Sequence, residues 1–144
     1  MHEAFIARRI VDAIERIAEE KGAERVLAVR LIIGQLRLLN LDVLRHAFEI
    51  FAQGTKAEGA KLEVEVVPAE LRCARCGHRW RLDPSELGQE ALTIAHMYPD
   101  VVARLLTCPA CGSGDVEILC GEELAIGEVT LKLPADEALK SKPG

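Results

Sequence analysis

Apolar residues recur along the first twenty positions at spacings of three and four, the period of one helix face. Phe5, Ile6, Ile10, Ala13, Ile14 and Ile17 form that stripe, with Arg8, Arg9, Asp12, Glu15 and Glu19 on the other side. The pattern predicts a helix over 4–21, stopped at Gly22, which takes a left-handed conformation cheaply. The period then changes to two. Val26, Ala28, Arg30 and Ile32 alternate with Leu27, Val29, Leu31 and Ile33, and the β-branched content predicts a largely covered strand over 25–33, ended by Gly34. A second helical stripe of Leu44, Ala47, Phe48 and Phe51 predicts a helix over 41–53 with Asn40 as its cap. Residues 54–59 read as loop. Leu62, Val64 and Val66 against Lys61, Glu63 and Glu65 predict a strand over 60–68, closed by Pro68.

Beyond Pro68 the periodicity breaks up. Asp83-Pro84-Ser85-Glu86 reads as a helix start, with a cap, a proline at the first helical position and an acid soon after. Pro99 opens a further short turn carrying Val101, Val102 and Leu105. Strands are expected again at 116–119 and 124–133, with Gly121 and Gly127 at bends. The last strand is too apolar for a tail, and its natural place is back in the first sheet. The expected fold is therefore α+β: a small mixed sheet with two helices, plus an inserted zinc-ribbon-like module. Its parts would be a discontinuous domain of residues 1–69 and 121–134, a module at 70–120, and a flexible tail at 135–144.

Charge removes some function classes. The chain has 144 residues, with 18 Lys and Arg against 23 Asp and Glu, a formal net charge of -5. That balance speaks against nucleic-acid binding, which needs concentrated positive charge. Arg72, Arg75, His78, Arg79 and Arg81 form one local basic cluster, not a groove-tracking stripe. No apolar run approaches the roughly 18 residues of a membrane span, and the start Met1-His2-Glu3 lacks a basic leader. The expected setting is the cytoplasm, where thiols stay reduced and available to metal.

Four of the five cysteines fall into two copies of one motif, Cys73-Ala74-Arg75-Cys76-Gly77 and Cys108-Pro109-Ala110-Cys111-Gly112. Each copy carries two sulfurs on a tight turn, and together they offer four thiolates to a tetrahedral ion, the usual composition of a structural zinc site. An iron–sulfur centre or a redox dithiol uses the same residues but explains the duplicated motif less well. Cys120 makes the count odd and reads as a spare buried or reactive thiol.

The other metal-binding chemistry lies at the start of the chain. An α-amine, the amide nitrogen of His2 and its Nδ1 close adjoining five- and six-membered chelate rings. Three nitrogens in a plane suit Ni(II) or Cu(II), whose square-planar preference compensates for deprotonating the amide. Any chain beginning Met-His offers these atoms, so the same residues also read as an ordinary exposed histidine. His46 reads as surface or packing. His78, two residues after Cys76, is a supporting donor, a transient ligand or a solvent-facing group, and His96 beside Met97 is a further candidate ligand for an N-terminal ion.

Taken together these residues resemble the HypA family of hydrogenase nickel-incorporation accessory proteins. The likeness runs over roughly 1–133: the Met1-His2-Glu3 start, Gly34, the stretch Thr55-Lys56-Ala57-Glu58-Gly59-Ala60-Lys61-Leu62, both cysteine motifs, and Cys108 to Ser113 followed by Gly121-Glu122-Glu123-Leu124-Ala125-Ile126. The resemblance implies a metallochaperone, with nickel as transferred cargo at Met1, His2 and Glu3 and structural zinc at Cys73, Cys76, Cys108 and Cys111. Several relatives have an extended linker in the segment that holds His96, and by the same implication that histidine is a candidate fourth nickel ligand. Implied partners are a nickel-handling GTPase and the large subunit of [NiFe]-hydrogenase, with self-association left open. No catalytic role is expected, because the chain has no nucleophile–base constellation and no phosphate-binding glycine loop. The alternative expectation is a zinc-ribbon adaptor that joins other proteins and carries no labile metal.

Overall fold

The computed structural model describes residues 2–82 and 106–134. Helix α1 spans His2–Glu20, strand β1 Arg25–Gly34, helix α2 Leu41–Ala52 and strand β2 Lys61–Val67. Three short strands follow, β3 at Glu70–Cys73, β4 at Arg79–Arg81 and β5 at Val116–Cys120, before β6 at Leu124–Lys132. The helix start expected at 83, the turn at Pro99 and the tail at 135–144 lie outside the described residues.

Two three-stranded sheets result, in the orders β2-β1-β6 and β4-β3-β5. In the first, Val26 N–H donates to Lys56 O at 2.8 Å and Arg30 pairs with Glu65 at 3.5 Å, so β1 and β2 run the same way. Glu24 N–H donates to Lys132 O and Gly34 N–H to Glu123 O, so β6 runs against β1. The sheet is mixed, and the final strand returns to it as its apolar character predicts. The second sheet is antiparallel throughout.

The chain divides into two compact units. The first holds residues 1–31, 41–65 and 125–144. Its core comes from Ala7, Ile10, Val11, Ile14 and Ala18 on α1, Leu44, Phe48 and Ala52 on α2, and Val26, Val29 and Leu31 on β1. Arg45 of α2 also donates to the carbonyl of Leu62, and the guanidinium of Arg8 lies over the Phe51 ring at 5.6 Å. Two assignments to faces need correction. Phe5 is 65% exposed rather than part of the inner stripe, because at 100° per residue it falls across the helix from Ile10; Arg9 stacks on its ring instead. In β1, Val26 is buried with Val29, Leu31 and Ile33, out of the two-residue phase that its neighbours keep.

The second unit holds 32–40 and 66–124, and so takes in more chain than the module delimited at 70–120. Among the described residues it has a buried cluster of Ala69, Leu71 and Leu82, with Leu36, Trp80, Leu106 and Val116 packed against it. Segment 34–37 belongs here for a physical reason. Gln35 Oε1 accepts the Ala69 N–H at 2.7 Å, Leu36 N–H donates to Gly121 O at 2.7 Å, and Arg37 Nε donates to Glu122 O at 2.7 Å. A methyl group on Gly34 would sit 2.1 Å from the carbonyl carbon and oxygen of Gly121. Only glycine permits that backbone approach.

Candidate metal centre

Both cysteine motifs fold into the same turn. In the first, the Gly77 N–H donates to Cys73 O at 2.9 Å and Cys73 N–H donates to His78 O at 2.8 Å. In the second, Gly112 N–H donates to Cys108 O at 2.9 Å and Cys108 N–H to Ser113 O at 2.9 Å. Gly77 and Gly112 close the turns at φ 80 and 76, a region that side chains with a Cβ rarely enter. Backbone N–H groups then converge on sulfur: those of Arg75 and Cys76 lie 3.4 Å from Cys73 Sγ, and that of Ala110 lies 3.4 Å from Cys108 Sγ. Ala74 N–H donates to Asp115 O at 2.9 Å, tying the first turn to the chain leaving the second.

This geometry gathers four sulfurs. Cys73 Sγ lies 3.6 Å from Cys111 Sγ, and Cys76 Sγ 3.6 Å from Cys108 Sγ. All four ligand atoms are within 4.8 Å of one another, with Cys73 and Cys108 buried and Cys76 and Cys111 exposed. No disulfide joins them. A tetrahedron of thiolates about an ion at roughly 2.3 Å has edges of about 3.8 Å, so the arrangement fits one tetrahedral soft metal. His78 is not among the clustered ligands; its ring stacks on Trp80, with centroids 5.8 Å apart.

The sulfurs are electrostatically unequal. The Cys76 N–H, with that of Arg75, holds the Cys73 thiol down at about 6. At Cys76 the His78 N–H also favours the thiolate, but desolvation and the neighbouring sulfurs outweigh it and push that thiol up to about 12. Cys111 is raised as well: the Ser113 N–H opposes the rise, while the Cys73 sulfur and desolvation drive it.

Of the other residues singled out from sequence, His2 is the first residue of α1, and Glu3 lies in its first turn, buried at 8% exposure. Met1 and His96 lie outside the described residues, so the structure does not test the expected nickel ligand set. His46 is exposed on α2. Cys120 ends β5 apart from the cluster, with Sγ 3.4 Å from Pro68 O. Sequence reasoning missed Gln35 and the glycine pair Gly34 and Gly121. Gly34 and Gly121 stood out only as a strand stop and a bend, and nothing local marks Gln35 as a partner of Ala69.

A four-cysteine centre on a ribbon of short strands, together with a unit of helices and sheet, defines a small metal-binding protein of α+β fold. Comparison with known proteins makes the class specific. The family described as hydrogenase/urease nickel incorporation, metallochaperone, hypA matches residues 1–131. The chain is 40% identical over 138 residues to a hydrogenase maturation factor HypA of Methanopyrus kandleri, covering 95% of this chain and 97% of that one. It is 42% identical over 129 residues to the Ignicoccus hospitalis protein of the same name, covering 88% and 93%. Among solved structures, the Ni metallochaperone HypA from Helicobacter pylori shares the fold, with TM-score 0.56, 20% identity and coverage of 92% and 98%. A second solution structure of a HypA protein gives TM-score 0.59 at 21% identity, covering 93% and 98%. The chain belongs to the HypA family. It is thus a metallochaperone of the nickel-incorporation kind and not an enzyme. Among the described residues, no helix is long and apolar enough to cross a membrane.

Proposed function

We propose that this chain takes up Ni(II) at its amino terminus and passes it towards [NiFe]-hydrogenase, while zinc in the four-cysteine centre holds the second unit together. The observation that carries the reading is the start of α1 at His2, within a family match that includes residue 1. The first N–H groups of a helix have no intrahelical carbonyl to donate to. The His2 amide is therefore not committed to the helix, and with the α-amine and Nδ1 it makes the planar three-nitrogen set that suits Ni(II). Burial of Glu3 withdraws its carboxylate from solvent, so its contribution is better made through the backbone. His96 would complete the plane.

Zinc would be held by Cys73, Cys76, Cys108 and Cys111, and when bound it neutralises their charge and cross-links the two turns. The relatives' names as hydrogenase maturation factors support the destination, and the Helicobacter pylori protein's name supports the cargo. A nickel-handling GTPase and the hydrogenase large subunit are the corresponding partners, with the GTPase supplying nucleotide hydrolysis.

Nickel titration of zinc-loaded protein tests the reading. One Ni(II) per chain with a diamagnetic, square-planar spectrum is expected, lost in His2→Ala with folding and zinc content unchanged. A His2→Ala protein that binds nickel as the parent does would refute the terminal site. A parent protein that binds no nickel would favour an adaptor without labile metal.

A further inference from the structure

The sheet of the second unit has a solvent face on which charge does not cancel. Its register sets Arg79 directly opposite Arg72, and Arg81 opposite Glu70, with all four side chains on one face. Like charges directly opposed destabilise a sheet. Glu117, opposite Arg72 on β5, pairs with that guanidinium. One carboxylate remains for two guanidiniums: Glu70 lies 3.8 Å from Arg79 and 4.0 Å from Arg81, whose side chains are 62% and 72% exposed. Ion pairs so long and solvated are weak.

The backbone of the same two residues faces outward. Cys73 N–H donates to His78 O at 2.8 Å and Leu82 N–H to Ala69 O at 3.3 Å. Bonded and non-bonded pairs alternate along an antiparallel ladder, so Trp80 is the bonded residue between them. The N–H and C=O groups of Arg79 and Arg81 therefore point away from β3. β4 is the edge of the order β4-β3-β5, and among the described residues no strand lies beyond it. The edge thus presents backbone donors and acceptors in the sheet plane and guanidiniums on its face, both repeating at about 6.7 Å, two residues of a strand.

We infer that β4 is a docking edge for an extended acidic segment of a partner protein, added as a further strand with carboxylates at alternate positions over Arg79 and Arg81. Strand addition supplies main-chain hydrogen bonds, and the charged side chains select the sequence. Two arginines on an edge repel a second copy of the same edge, as edge charges generally do, and for that reason admit a strand of opposite sign. Nucleic acid is the poorer fit: it offers no backbone N–H or C=O to the edge, and the chain carries a net charge of -5. The inference is independent of the nickel site.

The test uses the full zinc-loaded chain and a fluorescein-labelled peptide of alternating glutamate and valine, followed by anisotropy. Saturable binding that weakens with salt is expected, with none for the lysine–valine counterpart. Arg79→Gln with Arg81→Gln should weaken binding about tenfold or more, while Arg16→Gln on α1 should leave it unchanged. On the unaltered protein, N-methylating the peptide at the positions that meet the edge should abolish binding, so the answer does not depend on the variant folding. The inference is overturned if the glutamate–valine peptide does not bind, if the double variant with normal zinc content binds as well, if the N-methylated peptide binds equally, or if oligothymidine displaces the peptide at equal concentration.

Discussion

Cys73 and Cys76 are three residues apart and ionise on opposite sides of neutrality, because two backbone N–H groups converge on one sulfur while desolvation and neighbouring sulfurs dominate at the other. The sign of the resulting pH dependence follows directly. The Cys73 thiol is lowered, so what its thiolate contributes is present at high pH and is lost as pH falls through about 6. Cys76 and Cys111 are raised, so near neutrality an incoming metal must displace their protons. Zinc retention against a fixed chelator should therefore strengthen from about pH 6 to pH 8 and fail below about 6, read by a colorimetric zinc indicator. A flat profile over that range would contradict the assignment. Replacing Cys73 or Cys111 with serine removes one thiolate from a closed set and should cost zinc stoichiometry and the fold of the second unit. Trp80, the chain's single tryptophan, lies in that unit and reports its loss by fluorescence, while α1 and α2 in the first unit keep the helical dichroism. At this scale the four cysteines were legible from spacing alone, since a turn of fixed length must bring both its sulfurs to one side. Phe5 was misassigned: its apolar side chain suggested the inner stripe, but the helix period sets it across from Ile10 and it is exposed. Phe48, placed on the inner stripe of the second helix, is buried at 1% exposure.

The long elements were legible because their periods run over many residues. α1, α2, β1 and β2 lie where the three-to-four and two-residue patterns set them, with ends moved by one or two positions. β3 and β4 have four and three residues, too few to show a period, and they exist because zinc-type turns fold the chain back on itself. The junction of Gly34, Gly121 and Ala69 was hidden for a different reason: its partners are far apart in sequence. Gly121 holds φ 116, and a methyl group there would lie 2.6 Å from Ala69 Cα. Gly34→Ala should destabilise the second unit by about 3 kcal/mol or more, since the obstruction is backbone and cannot rotate away. Gly114→Ala is the control, with no atom within 4 Å, and should fall within about 0.5 kcal/mol of the parent. Denaturation followed by Trp80 fluorescence measures both, and equal stabilities would show that the close approach is relaxed in solution.

At the scale of the whole molecule, the two units differ in how they are stabilised. The first has a core drawn from both helices and the sheet, including fully buried Ile14, Leu31, Leu44 and Phe48. Among its described residues, the second has a buried cluster of Ala69, Leu71 and Leu82, with Leu36, Trp80, Leu106 and Val116 packed against it, and two cysteine turns that a bound ion would join. A metal cross-link between those turns would add on the order of 10 kcal/mol to that unit's stability. On the proposed reading, zinc held in one unit would leave the other to carry an exchangeable cargo, the division of labour that a metallochaperone needs. The central claim is that the cargo site is the chain terminus itself, not merely a histidine near it. Nickel binding by zinc-loaded protein, with and without one extra residue ahead of Met1, tests this most directly. The extension keeps His2 but moves the α-amine out of the chelate. The account predicts that tight binding and the square-planar Ni(II) spectrum disappear together in the extended protein. Nickel held by the extended protein with the same affinity and the same spectrum would contradict it.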